Sequence, residues 1–168
     1  MNPQRSQRTG ALLAGGAAVA LIASMFLEWY TLDLPDRIPN PDNLPTFNAF
    51  EGLQRADVAI VVAAGLAILV AGLVLAGVLA RSPATGIALV VVGLFGLAVV
   101  LYRGIISPPG FVLLGLDLEL KVSFGWFVSL VAAVLIVAGG LLTYLAGPQL
   151  AGESEPTQST DGRRRPLS

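Results

Sequence analysis

Residues 57–106 read DVAIVVAAGLAILVAGLVLAGVLARSPATGIALVVVGLFGLAVVLYRGII. Between Asp57 and Arg103 the one charged residue is Arg81, which sits with Ser82 and Pro83 between two long apolar runs. Neither run alternates with period 2 or leaves a polar stripe at period 3.6, so neither has a face for water. Each is long enough to cross a bilayer as a helix: at 1.5 Å per residue, residues 57–80 and 84–106 each reach about 35 Å, slightly more than the hydrocarbon thickness. A link as short as Arg81-Ser82-Pro83 permits a tight hairpin and little else, so the two helices are antiparallel neighbours.

Two more apolar runs flank this hairpin, a first helix over about 10–27 and a fourth over about 123–146. The chain as a whole is 55% hydrophobic and 12% charged over 168 residues, a membrane composition. The expected fold class is an all-α membrane protein, a four-transmembrane-helix bundle. Residues 1–9 form an N-tail, 10–146 the transmembrane domain and 147–168 a polar, disordered C-tail. Arg5 and Arg8 ahead of an apolar run also suit a secretory leader. The one A-x-A site, Ala18-Val19-Ala20, lies inside the run, so a retained helix is the expectation.

Arg5, Arg8, Arg81 and Arg163-Arg164-Arg165 fall on one side of the bundle, and Arg37, Arg55, Arg103 and Lys121 on the other. The positive-inside bias places both termini in the cytoplasm, with the protein multi-pass in the cell membrane. The arginine cluster in the tail is read as a solvated, topogenic segment, having fewer charges than lipid-binding clusters carry. Trp29, Tyr30, Tyr102 and Trp126 fall at helix ends, where an interfacial aromatic belt belongs.

The outer loops have their own chemistry. Pro35, Pro39, Pro41 and Pro45 keep the first loop out of helix, while Phe47, Phe50 and Leu53 recur at helical spacing and suggest an interfacial turn. Residues 116–123, LDLELKVS, alternate strictly and read as a strand. A lone strand leaves its backbone unpaired, so it needs a partner, either residues 111–114 across Gly115 or residues 30–34. A small extramembrane β-element from loops 1 and 3 is expected.

Residues that carry chemistry are scarce. The chain has no cysteine and no histidine, which removes disulfides, thiolate nucleophiles and the commonest zinc ligands and general base. No catalytic set, cofactor or metal site is expected, and the net charge of -1 argues against nucleic acid. Asp57 and Arg103 stand out because each lies at the edge of an apolar span, where a charge is costly unless paired or snorkelling. Counted from Ser82 along antiparallel helices, they reach depths within about 6 Å of one another. Two readings follow, an ion pair fixing the register of helices 2 and 3, or two side chains that separately reach headgroups. Gly72, Ala76 and Ala80 recur at four-residue spacing, which suits packing within the bundle or a dimer seam.

With those pieces in place, the chain resembles the uncharacterised small four-pass membrane proteins of high-GC Gram-positive bacteria. The residues that carry the likeness are Phe26-Leu27-Glu28-Trp29-Tyr30 closing helix 1, Ala49-Phe50-Glu51 ahead of Asp57, Tyr102-Arg103 before Ser107-Pro108-Pro109-Gly110, and Gly125-Trp126 opening helix 4. Glu28 stands where proline is usual in that group, and Phe50 where tryptophan is. The resemblance implies the four-helix architecture and no activity.

The functional expectation is a non-enzymatic accessory or scaffold component of the cell envelope. Its partners are membrane lipid and, through the outer loops, a protein or further copies of itself. The alternative is a small-solute transporter or channel component. Against it, no charge lies mid-span, and the polar residues there are of the kind of Ser24, Thr85, Ser129, Thr143 and Tyr144, fewer than ion pathways use.

Overall fold

The computed structural model describes residues 3–32, 46–48, 55–79, 83–106, 111–113, 116–118 and 120–152. Four helices dominate: α1 (Pro3–Ser24), α2 (Arg55–Leu75), α3 (Pro83–Leu101) and α4 (Phe124–Gly152). Within them Asp57–Leu75, Pro83–Ile105 (which continues into a short π-helical turn) and Phe124–Ala146 are long and apolar enough to cross a membrane. Only 33%, 33% and 39% of those stretches is buried inside the protein. Most of their apolar surface therefore faces outward, a surface suited to hydrocarbon. α1 is not among the three, because its first two turns, PQRSQRT, are polar.

The helices form a closed ring in which α1 packs on α2 and α4, and α3 packs on α2 and α4. Every neighbouring pair is antiparallel. Along α1 and α4, Gly10 lies by Gly139 at one end and Ser24 bonds Ser129 at the other. Along α3 and α4, Gly86 meets Tyr144, Gly93 meets Val137 and Gly104 meets Trp126. Glycine permits this approach: a Cβ on Gly139 would stand 2.6 Å from the Gly10 carbonyl oxygen, and one on Gly140 would stand 2.7 Å from the Val90 nitrogen. The tandem Gly139-Gly140 thus lets α4 press one residue against α1 and the next against α3. Alanines fill the middle, with Ala14, Ala18, Ala64 and Ala67 in the core cluster around Leu21, Ile60 and Leu89.

The expected packing motif on α2 lies elsewhere. Gly72 and Ala76 are exposed, and a Cβ on Gly72 would meet nothing within 4 Å, so neither packs inside the bundle. Ala80 lies outside the described residues. α2 also ends earlier than expected, at Leu75. Gly77, at φ 75°, donates to the Val74 carbonyl while Val78 donates back to Leu73, a Schellman stop that only a residue at ease with positive φ allows.

The other helix limits differ from expectation for similar local reasons. α1 starts at Pro3, within the supposed tail, and stops at Ser24 instead of Leu27. Its end tightens into bonds of i→i−3 type from Met25, Phe26 and Leu27. α3 runs on from Leu101 into a π-helical turn, Tyr102–Ile106. α4 begins at Phe124 and continues through Pro148 to Gly152. A proline inside a helix removes one backbone donor and crowds the carbonyl four residues back, so the helix continues past Pro148 against that cost. The rest of the C-tail and the proline-rich residues 33–45 lie outside the described residues.

At the end where α1 and α3 finish and α2 and α4 begin, the connections form two small sheets. β1 (Glu28–Leu32) pairs antiparallel with β2 (Thr46–Asn48) on one side and with β5 (Leu120–Val122) on the other. β3 (Phe111–Leu113) pairs with β4 (Leu116–Leu118) as a separate hairpin. Both partners foreseen for the alternating segment are used, because the segment splits: 116–118 pairs across Gly115, and 120–122 pairs with residues 30–32. Phe47 lies in β2 and not in an interfacial helix.

Candidate functional site

The two buried charges of the described residues meet at the sheet-bearing end of the bundle. Asp57, in the first turn of α2, and Arg103, in the π-helical turn after α3, each have a side chain only 1% exposed. Arg103 Nε donates to Asp57 Oδ1 and Nη2 to Oδ2, both at 3.0 Å. This two-bond geometry is the strongest that an arginine and a carboxylate make. A buried pair of this kind does not greatly stabilise a fold compared with apolar packing, but removing one partner strands the other charge.

Around the pair, Tyr30 and Trp126 tie β1 and α4 to the end of α3 through their polar ends, and Trp29 closes back on the end of α1. Tyr30 Oη donates to the Arg103 carbonyl at 3.1 Å. Trp126 Nε1 donates to the Val100 carbonyl at 2.9 Å, and Trp29 Nε1 to the Ser24 carbonyl at 2.8 Å. The change from i+4 to i+5 spacing near Arg103 shifts backbone amides off their usual acceptors. Val100 and Arg103 offer carbonyls on either side of that change, and the indole and the phenol take them. Gly104 is the residue against which the Trp126 ring lies, and a Cβ there would collide with the indole.

Trp29, Tyr30 and Trp126 are therefore not lipid-facing belt residues. All three are buried, because each N–H or O–H has an acceptor inside the protein and each ring fills space between helices. Tyr102, 48% exposed, does face outward. Two adjacent strand residues normally point to opposite faces. Here the register of β1 against β2 slips between Glu28 and Tyr30, and this bulge turns both Trp29 and Tyr30 inward. The strand also closes on α4: Ser123 donates its N–H to the Trp29 carbonyl at 2.8 Å, and a Cβ on Gly125 would stand 2.7 Å from Trp29 Cδ1.

Burial pushes the Tyr30 phenol above its ordinary pKa of 10.0; the Arg103 charge pulls it back, and Asp57 adds to the rise. The phenol stays protonated and donating through the physiological range. Further along α1, Ser24 and Ser129 share a hydrogen bond of 2.7 Å, and Thr143 bonds back to the Gly139 carbonyl at 2.9 Å. These polar groups within the spans are satisfied by the helices themselves.

Sequence depth brought Asp57 and Arg103 to one level, and the structure places them in contact. The indole and phenol bonds were not foreseen. The signal available was weak: Gly104 and Gly125, each adjacent to a bulky residue, mark where an aromatic ring crosses a helix backbone. Among the described residues no group of three His, Cys, Asp or Glu residues lies together to hold a metal. Comparison with known proteins finds no family model and no curated protein that matches the chain.

Proposed function

We propose that this protein is a four-pass integral protein of the cell membrane, both termini cytoplasmic, that serves as a non-enzymatic accessory or scaffold subunit of a cell-envelope assembly. The observation that carries the four-pass reading is the seating of α1. From Gly10 by Gly139 to Ser24 bonded to Ser129, it runs beside α4 through the depth that α4 spans. An outward face with Leu12 and Val19 gives it the same exposure to hydrocarbon. The likeness to small four-pass proteins of high-GC Gram-positive bacteria points the same way.

The scaffold reading rests on the capped end. Its buried charges and aromatic groups are engaged in holding the helices, which suits a rigid platform better than a reacting centre. Among the described strands β2 and β5 are the edges of the three-stranded sheet, and strand edges offer backbone donors and acceptors to a partner. A photocrosslinker at Phe47, followed by purification through a C-terminal tag, is expected to recover a partner in fixed ratio from native membranes. Recovery of the protein alone would remove the scaffold reading. Because the chain lacks cysteine, single cysteines report topology without background. One in residues 116–118 should react with an impermeant maleimide on intact cells, and one at Ser168 should not.

A further inference from the structure

At the end of the bundle away from the sheets, the first turns of α1 and the end of α2 enclose a cleft of about 300 Å³. Gln4, Gln7 and Arg8 form its polar wall, and Val74, Leu75 and Leu79 its apolar wall. Gln7 is only 8% exposed, and its Nε2 is buried with no hydrogen-bond partner. Buried amides are almost always satisfied, so a stranded one at the edge of a cleft marks a place where something else supplies the acceptor.

The electrostatics choose the sign of that ligand. Arg8 lines the cleft, and α1 starts beside it with no acidic residue in its first turn, at the helix end whose dipole favours an anion. The described carboxylates, Glu28, Asp57 and Asp117, belong to the opposite end. On the α2 side, the amides of Gly77, Val78 and Leu79 already engage the Leu73 and Val74 carbonyls, so those two acceptors are satisfied within the helix end. The remaining wall is aliphatic, which free phosphate does not need and a glycerolipid does.

We propose that this cleft binds the phosphate of an anionic phospholipid, with Arg8 countering its charge, the Gln7 carboxamide donating to a phosphate oxygen, and the lipid's apolar part against Val74, Leu75 and Leu79. The proposal rests on the membrane reading above and is independent of the contact surface at the capped end.

Thermal unfolding of the full chain in detergent tests it, with phosphatidylglycerol, phosphatidylcholine or inorganic phosphate added. Phosphatidylglycerol is expected to raise the midpoint, phosphatidylcholine to do so less, and inorganic phosphate not at all. Gln7→Leu removes a buried amide nitrogen that has no partner, so it should unfold no earlier than the parent without lipid. Arg8 is exposed, so Arg8→Gln should also keep the basal midpoint. Each variant should need about tenfold more phosphatidylglycerol for the same shift. Parental responses in both variants would overturn the proposal, and an equal shift from inorganic phosphate would overturn its lipid source. If Gln7→Leu fails to fold, Arg8→Gln alone decides. Alkaline carbonate washing separates the two readings: release from membranes would sink the membrane assignment, whereas retention with no lipid response would sink only the cleft.

Discussion

Asp57 and Arg103 each exchange the hydration of a full charge for an opposite charge held by two hydrogen bonds, so the energetic consequence lies in separating them. Asp57→Asn or Arg103→Gln should each lower stability by about 3–5 kcal/mol, because each strands a buried group. The double variant should lose less than the sum, with a coupling of about 0.5–3 kcal/mol. Unfolding titrations in mixed micelles measure all three, and strictly additive losses would contradict the pairing. Tyr30 supplies a pH test. Its folded pKa is raised above 10.0, so its contribution is fully present below pH 10 and is lost as pH rises through the folded value. The parent should therefore lose stability above pH 10 more steeply than Tyr30→Phe, while at pH 7 the variant should lose about 1 kcal/mol for the missing bond to Arg103. At this scale the sequence revealed depth and nothing sideways. Counting residues from the hairpin brought two charges level, but no count says that Trp126 reaches Val100 or that a bulge turns Trp29 inward.

Among the elements, small residues are the instructive case. Gly72 and Ala76 on α2 have the same four-residue spacing that brings helices together elsewhere, yet they face outward, whereas Gly139 and Gly140, adjacent and without such spacing, bring α4 against the backbones of α1 and α3. Spacing identifies residues on one helical face and is silent about which face is covered. Gly93→Ala would place a Cβ 2.9 Å from the Val137 backbone nitrogen and should push α3 off α4, at a loss of about 1–3 kcal/mol. Gly72→Ala should be neutral or raise stability by up to about 1 kcal/mol through helix propensity. Thermal unfolding of the two variants checks the contrast, and equal losses would mean that Gly72 is covered. Helix existence was readable because long charge-free runs permit little else. Helix ends were not, since the Schellman stop at Gly77 lies inside a run that hydropathy carries on to Ala80. The segment 116–122 was readable as extended; its division between two sheets depends on β1 arriving from far along the chain.

For the whole molecule, the decisive question is whether α1 sits beside α4, because its polar start makes it the least apolar of the four helices. Ser24→Cys with Ser129→Cys tests this directly. The native hydroxyl oxygens are 2.7 Å apart, so the two sulfurs fall within reach of a disulfide. Mild oxidation in membranes should join them, as read by the two pieces remaining linked after cleavage between α2 and α3. Free thiols throughout would place α1 elsewhere. The ring arrangement also bears on how the protein is made. Asp57 leaves the ribosome 46 residues before Arg103, and the ring donors from Trp126 follow later still. During synthesis the Asp57 carboxylate therefore has no guanidinium from Arg103 to meet until α3 is complete. The capped end can close only once α4 brings the Trp126 indole to the Val100 carbonyl, so the order of translation lets the ion pair form first and leaves the indole bond to record the completion of the bundle.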